Sequence, residues 1–189
     1  MANFTVVYDA CVFYPAPLRD FMVRLAQTRR FRARWTARIH GEWTRALLHK
    51  QPALDPGRIA RTVELIDRAV PDCLVTGYEH LVDELELPDP DDRHVLAAAI
   101  RAGAQAIVTL NLKDFPARTL DGFGIFARHP DDFILDLADL EPGVVIAVAK
   151  QQRAALAHPP FTAEAFVDCL RRQGLVGVAA FLADESDLI

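Results

Sequence analysis

A chain of 189 residues, 51% of them hydrophobic, can build one sizeable core, and its composition is not that of a disordered or low-complexity protein. No run reaches ~18 uninterrupted apolar residues and no basic stretch leads into an apolar segment at the start, so no membrane association and a cytoplasmic location are expected. The formal net charge of −5 conceals a strong asymmetry, and three widely spaced cysteines (Cys11, Cys73, Cys169) exclude a disulfide framework and a C-x-x-C zinc site.

Residues 4–8, FTVVY, read as a short buried strand, with Asp9 directly after it. Pro15 and Pro17 punctuate the chain before a helix with Leu18, Phe21, Met22 and Leu25 on one face. Thr36 is placed to cap a second helix with Ile39, Trp43, Ala46 and Leu47 inward, and Pro52 with the DPG at 55–57 ends that unit. A third helix is predicted over 58–69 and a buried strand over 73–77, CLVTG. Asp89 followed by Pro90 starts another helix, Gly103 stops it, and AIVTL at 106–110 is a further strand. Apolar strands alternating with amphipathic helices predict a parallel α/β sheet flanked by helices, with ligands at the carboxyl ends of its strands. Beyond Arg128 the pattern is helical over 143–156, 162–172 and 175–182, with HPP at 158–160 as a breaker. The division expected is therefore 1–128 as an α/β domain and 129–189 as a helical appendage.

Between Arg19 and Lys50 nine bases face two acids, Asp20 and Glu42, whereas 79–92 carries seven acids and no Lys or Arg. This is either a pair of solvated helix faces or a polyanion-attracting surface beside an acidic pocket. Asp9 is either a turn cap or a site residue. Glu42 sits between Ile39 and Trp43, so helical spacing turns it toward the apolar stripe, where an unpaired carboxylate is costly. Asp92 continues the stripe of Val95, Leu96, Ala99 and Ile100, whereas Asp89 is explained as a cap. Asn111 and Asp114 fall just past the third strand. Carboxylates gathered at one edge repel, and oxygen ligands of this kind suit Mg²⁺ or Mn²⁺. His94 is expected at the surface, and the cysteines as ordinary small core residues.

The pieces VVYDACVF, PLRDFMVRLA, RARWTARIHGEW and LPDPDDRHVLAAAIRAGAQAIVTLNLKDFP, in that order over about residues 4 to 116, resemble the PIN-domain nucleases, most closely the bacterial VapC-like toxins. The resemblance implies a PIN-type α/β fold, a metal-dependent endoribonuclease with RNA as substrate, a cognate antitoxin protein as partner, and a homodimer. Carried over by position, Asp9, Glu42, Asp92 and Asn111 are the implied catalytic set. Asn111 stands where many relatives have Asp, so Asp9, Glu42 and Asp92, with Asp114 as a substitute, are the implied metal ligands. Arg30, Arg34 and Arg38 are the candidate RNA contacts. Cys11 occupies the second acid position of the D-x-D phosphatase motif and removes that reading, and HGE at 40–42 lacks the P-C-x-x-C of a zinc deaminase. The alternative from another class is a non-catalytic PIN-like module that binds RNA or protein. Metal should raise the melting temperature, and Asp9→Asn should stabilise the metal-free protein by relieving repulsion.

Overall fold

The computed structural model describes residues 4–157 and 159–189, which leaves His158 of the HPP breaker outside the described residues. Four short parallel strands, β1 (Thr5–Tyr8), β2 (Arg32–Arg34), β3 (Ala106–Val108) and β4 (Phe126–Arg128), stand side by side in the order β2-β1-β3-β4. Every residue of β1 and β3 is buried, as expected where helices cover both faces and the strands carry no polar alternation. Register pairs Val7 with Arg34 and with Ile107, so residues just past β1 and β3 share the carboxyl edge.

The helices follow in chain order: α1 (Ala10–Phe13), α2 (Ala16–Gln27), α3 (Ala37–Lys50), α4 (Pro56–Ala69), α5 (Arg93–Ala102), α6 (Ala117–Leu120), α7 (Pro130–Leu140), α8 (Pro142–Ala155), α9 (Ala163–Arg172) and α10 (Val176–Asp184). Thr36 caps α3 through its hydroxyl, which accepts from the Ile39 amide at 3.1 Å. The inward positions of α3 are Ile39, His40 and Trp43, and Ala46 is exposed, so a histidine takes part of the stripe assigned to small and apolar residues. Gly103 ends α5 in the left-handed conformation, φ 60°, that a glycine adopts without penalty.

Four segments differ from expectation. The CLVTG segment forms no strand: it makes one isolated bridge, with Trp35 N–H donating to Cys73 O at 2.9 Å and Val75 N–H to Trp35 O at 2.8 Å. The bridge is parallel and pairs Leu74 with Trp35, one residue past β2, and the Leu74 side chain is exposed. β2 and β4 are strands of three residues flanked by arginines, too short for an apolar run to announce them. Helix α7 opens the C-terminal part ahead of the three helices expected there, its N-terminus capped by His129 Nδ1, which accepts from Asp131 N–H at 3.2 Å.

The C-terminal helices are tied to the sheet domain and to one another. Helix α8 packs on α2, Gln152 Nε2 donating to Pro17 O at 2.9 Å. Asp131 of α7 accepts from the Gly177 and Val178 amides, 2.8 Å each, and so satisfies the first turn of α10. A Cβ at Gly177 would lie 2.6 Å from Leu135 Cδ1, so any larger residue there requires the leucine side chain to move. Asp131→Ala should cost about 1–2 kcal/mol, the usual worth of a lost helix cap. Urea denaturation checks it: Asp131→Ala should lower the midpoint and Asp131→Asn should recover part of it.

Candidate active site

Asp9 terminates β1 and is itself the N-cap of α1, so the cap and site readings converge on one residue. Its carboxylate is buried, 4% exposed, and satisfied by three donors. Oδ1 accepts from Ala10 N–H at 2.6 Å, and Oδ2 accepts from Thr109 Oγ1–H at 2.7 Å and from Cys11 Sγ–H at 3.0 Å. Thr109 and Cys11 are not passive neighbours. Thr109 Oγ1 accepts from Asn111 N–H at 2.9 Å, and Cys11 Sγ accepts from Leu110 N–H at 3.1 Å. Together they clamp the end of β1 to the end of β3 and fix Asp9 against the turn that carries Asn111 and Asp114.

Asp92 closes a short 3-10 turn, Pro90–Asp92, and sits at the mouth of α5, half-buried, while Asp91 faces solvent. Asp89 caps that turn by accepting from Asp91 N–H at 2.9 Å. Burial first, then the charges of Asp9, Asp89, Asp114 and Glu42, push the Asp92 carboxyl up to about 7. Three of these acids, Asp9, Glu42 and Asp114, come from segments far away in sequence, and Asp89 belongs to the turn that carries Asp92 itself.

Glu42, on α3, is half-buried between Arg38 and His94. Arg38 Nε donates to its Oε1 at 3.3 Å, and His94 Nε2 lies 2.8 Å from the same oxygen. His94 is fully buried, not at the surface, and neither of its ring nitrogens completes a directional hydrogen bond among the described residues. The short contact therefore fixes proximity rather than a formed bond. Asn111 is exposed and Asp114, in the 3-10 turn Leu112–Asp114, is half-buried, with Asp114 N–H donating to Asn111 O at 3.0 Å.

The predicted RNA contacts scatter. Arg38 lies at the acidic site beside Glu42. Arg34 ends β2 at the level of Val7, two residues short of Asp9. Arg30 precedes the amino end of β2, at the opposite edge of the sheet from the acids, and is paired with Glu141 at 3.1 Å. A surplus of arginine in the sequence does not distinguish these places. Thr109, Cys11 and His94 are the site residues that sequence reasoning missed. The signal for Thr109 is the one used for Asp9: a polar side chain immediately after a buried strand.

Among the described residues no three His, Cys, Asp or Glu side chains form a ready-made metal cage. The donor chemistry nonetheless fits a hard cation. A carboxylate offers about four lone-pair positions, and three on Asp9 are taken, which leaves Oδ1 one open position. Burial first, and then the surrounding carboxylates, push the Asp92 carboxyl up, and a divalent cation would relieve the repulsive part of that shift.

A family model described as "PIN domain" matches residues 5–113, and one described as "VapC50 C-terminal domain" matches residues 130–184. A Mycobacterium tuberculosis (strain ATCC 25618 / H37Rv) protein named "Putative ribonuclease VapC50" is 49% identical over 97 residues, 51% of this chain and 57% of that protein. The match thus spans little more than half of the relative's length. No solved structure matches the chain.

Proposed function

Because the chain belongs to the PIN-domain family, we propose that it is a divalent-metal-dependent endoribonuclease of the VapC-like toxin type, hydrolysing RNA phosphodiester bonds. The observation that carries this reading is the convergence of Asp9, Glu42, Asp92 and Asp114 at the carboxyl edge of the sheet, where burial and then the neighbouring carboxylates push Asp92 up to about 7. The printed name of the Mycobacterium relative, a ribonuclease, supports the same chemistry.

In this reading Asp9, Glu42 and Asp92 hold Mg²⁺ or Mn²⁺, with Asp114 supplying the charge that Asn111 lacks. Such an ion, when bound, polarises the phosphodiester and makes water a better nucleophile at neutral pH. The chain's own residues do the rest. Thr109 and Cys11 hold Asp9 through its Oδ2 and leave a position on Oδ1 free. Arg38 steadies Glu42 and stands ready to meet a substrate phosphate. The Asn111 amide, exposed beside the acids, orients water or substrate without adding charge.

The same proposal includes a cognate antitoxin protein, a homodimer and a cytoplasmic setting; no helix among the described residues is long and apolar enough to cross a membrane. It also takes 1–128 as the nuclease unit and 129–189 as an extension packed beside it.

The test is cleavage of RNA with Mn²⁺, Mg²⁺ or chelator by the unaltered protein, Asp9→Asn and Asp92→Asn. Metal-dependent cutting that both substitutions remove is the expected result. Equal behaviour of all three proteins would overturn it and leave a non-catalytic PIN-like binding module. Independently of activity, Mn²⁺ should raise the melting temperature of the unaltered protein through binding linkage and leave Asp9→Asn nearly unmoved.

A further inference from the structure

Four of the nine cations of the basic segment are already engaged by acids, a carbonyl or an aromatic ring. Arg24 pairs with Asp20, Arg30 with Glu141 and Arg38 with Glu42, and Arg19 lies over the Trp43 ring with its Nη1 donating to Phe13 O at 2.6 Å. Arg29, Arg32 and Arg34 are different: among the described residues none of them forms an ion pair. All three line one cavity of about 480 Å³ on the outer side of β2, between the end of α2 and the 69–72 segment that follows α4.

Local backbone geometry explains why they collect there. Side chains two apart on a strand share a face, so Arg32 and Arg34 point to one side of β2 and buried Ala33 to the other. Arg29 reaches the same cavity from the turn before the strand through a left-handed backbone, φ 58°, which directs it away from its neighbour Arg30. Arg30 lines a separate cavity with Phe4, Phe31 and Phe126. On the opposite lip Asp72 is also left-handed, φ 60°, and is the sole acid lining the cavity among the described residues. Left-handed non-glycine residues persist only where the surroundings hold them.

We propose that this groove binds the phosphate backbone of single-stranded RNA beside the segment being cut. Arg32 and Arg34 stand two strand residues, roughly 7 Å, apart, and Arg29 adds a third guanidinium from the turn before them. Charge complementarity selects the occupant: three unneutralised guanidinium groups against one carboxylate, each a bidentate phosphate ligand. Direction selects the strand's course. The chain lining the groove runs on through the Thr36 cap into Arg38, whose Nε is 3.3 Å from Glu42 at the acidic site. Arg30, at the amino edge and neutralised by Glu141, is not part of this track. The inference rests on the ribonuclease reading only for the identity of the polyanion.

The experiment is fluorescence anisotropy with a labelled 20-nucleotide single-stranded RNA and the full chain in chelator, titrated at several salt concentrations. Changing Arg29, Arg32 and Arg34 together to Gln should weaken binding at least tenfold. It should also flatten the slope of log K against log salt by about two, at ~0.7 per lost single-strand phosphate contact. The corresponding triple Lys variant, which keeps charge, should retain most of the slope, and this separates phosphate contact from misfolding. Cleavage of a trinucleotide, too short to reach Arg29 and Arg32, should persist when those two alone are changed to Gln. Binding and slope unchanged in the Gln variant would overturn the groove. So would lost binding of an acidic peptide with RNA binding intact, which would make the ligand a protein. If the unaltered chain binds RNA but cuts none, the ribonuclease reading fails while the anisotropy result still decides the groove.

Discussion

Asp92→Asn should raise the melting temperature of the metal-free protein at pH 8, whereas Asp9→Asn should lower it, although both remove RNA cleavage by about 10³-fold or more, the scale of lost transition-state charge stabilisation. The two acids differ in what surrounds them. Asp92 is pushed up to about 7 by burial and by four neighbouring carboxylates, from an ordinary value of 3.8. A carboxyl raised on folding contributes stability that is complete below its unfolded value and is lost as pH rises through its folded one. The window is therefore about pH 4 to 7, and above it the folded state carries an unfavourable charge. Solvent screening at this half-exposed position reduces the effect to about 1–2 kcal/mol. The amide removes that charge, so the Asn variant should gain stability at pH 8, little at pH 4, and show a flatter melt-versus-pH profile across the window.

Asp9 behaves oppositely because its oxygens are all employed. An Asn there must set its NH₂ either against the Thr109 and Cys11 hydrogens that now donate to Oδ2 or against the Ala10 N–H that now donates to Oδ1. Hydrogen bonds to a charged acceptor are worth about 1.5–3 kcal/mol each, more than the relief of repulsion at a group so well held. The sequence-based expectation that Asp9→Asn stabilises the metal-free protein is thus revised by Thr109 and Cys11, and the stabilising substitution moves to Asp92. Thermal melts of both variants at pH 5 and pH 8 in chelator decide this. A rise for Asp9→Asn, or a fall for Asp92→Asn at pH 8, would contradict it.

What the sequence made legible was whatever depends on local periodicity. The buried runs of β1 and β3, the Thr36 cap and the Gly103 stop are each written in a few consecutive residues. The acids were readable for the same reason, since Asp9 follows a strand directly and Glu42 and Asp92 lie on helix stripes. Long-range partners were not readable. That Thr109 donates to a residue 100 positions earlier, or that Leu110 N–H meets a cysteine 99 away, depends on the β1–β3 register alone. Strands as short as β2 and β4 carry too few residues for a period, and CLVTG is apolar without being a strand, pairing only through one bridge just past β2. His94 shows the limit most sharply. Within a stripe of apolar residues a histidine reads as surface or as core, and only its 2.8 Å approach to Glu42 ties it to the site.

The largest expected loss of stability lies behind the site rather than in it. Asp67 of α4 accepts from Trp35 Nε1–H at 2.8 Å and lies 2.9 Å from His40 Nε2, with the Cys73 thiol at 3.6 Å. The tautomer of His40 follows from its other nitrogen. Trp43 Nε1–H donates to His40 Nδ1 at 2.9 Å, so Nδ1 is the acceptor and Nε2 carries the hydrogen given to Asp67. Burial holds His40 below its ordinary value, against the opposing pull of Asp67, which keeps the ring neutral. Asp67→Ala leaves the Trp35 and His40 donors without an acceptor inside the aromatic cluster of Tyr8, Phe13, Trp35 and Trp43. At about 1–3 kcal/mol per orphaned buried group, the cost should be about 2–4 kcal/mol, and Asp67→Asn, which restores one acceptor, should cost less. The network also anchors α3 to α4, and α3 carries Glu42 two residues after His40, so the damage should reach the site. Equilibrium denaturation should show the Asp67→Ala loss, and Mn²⁺ should stabilise that variant less than the unaltered protein. Equal metal stabilisation in both would mean that Glu42 is positioned without help from this network.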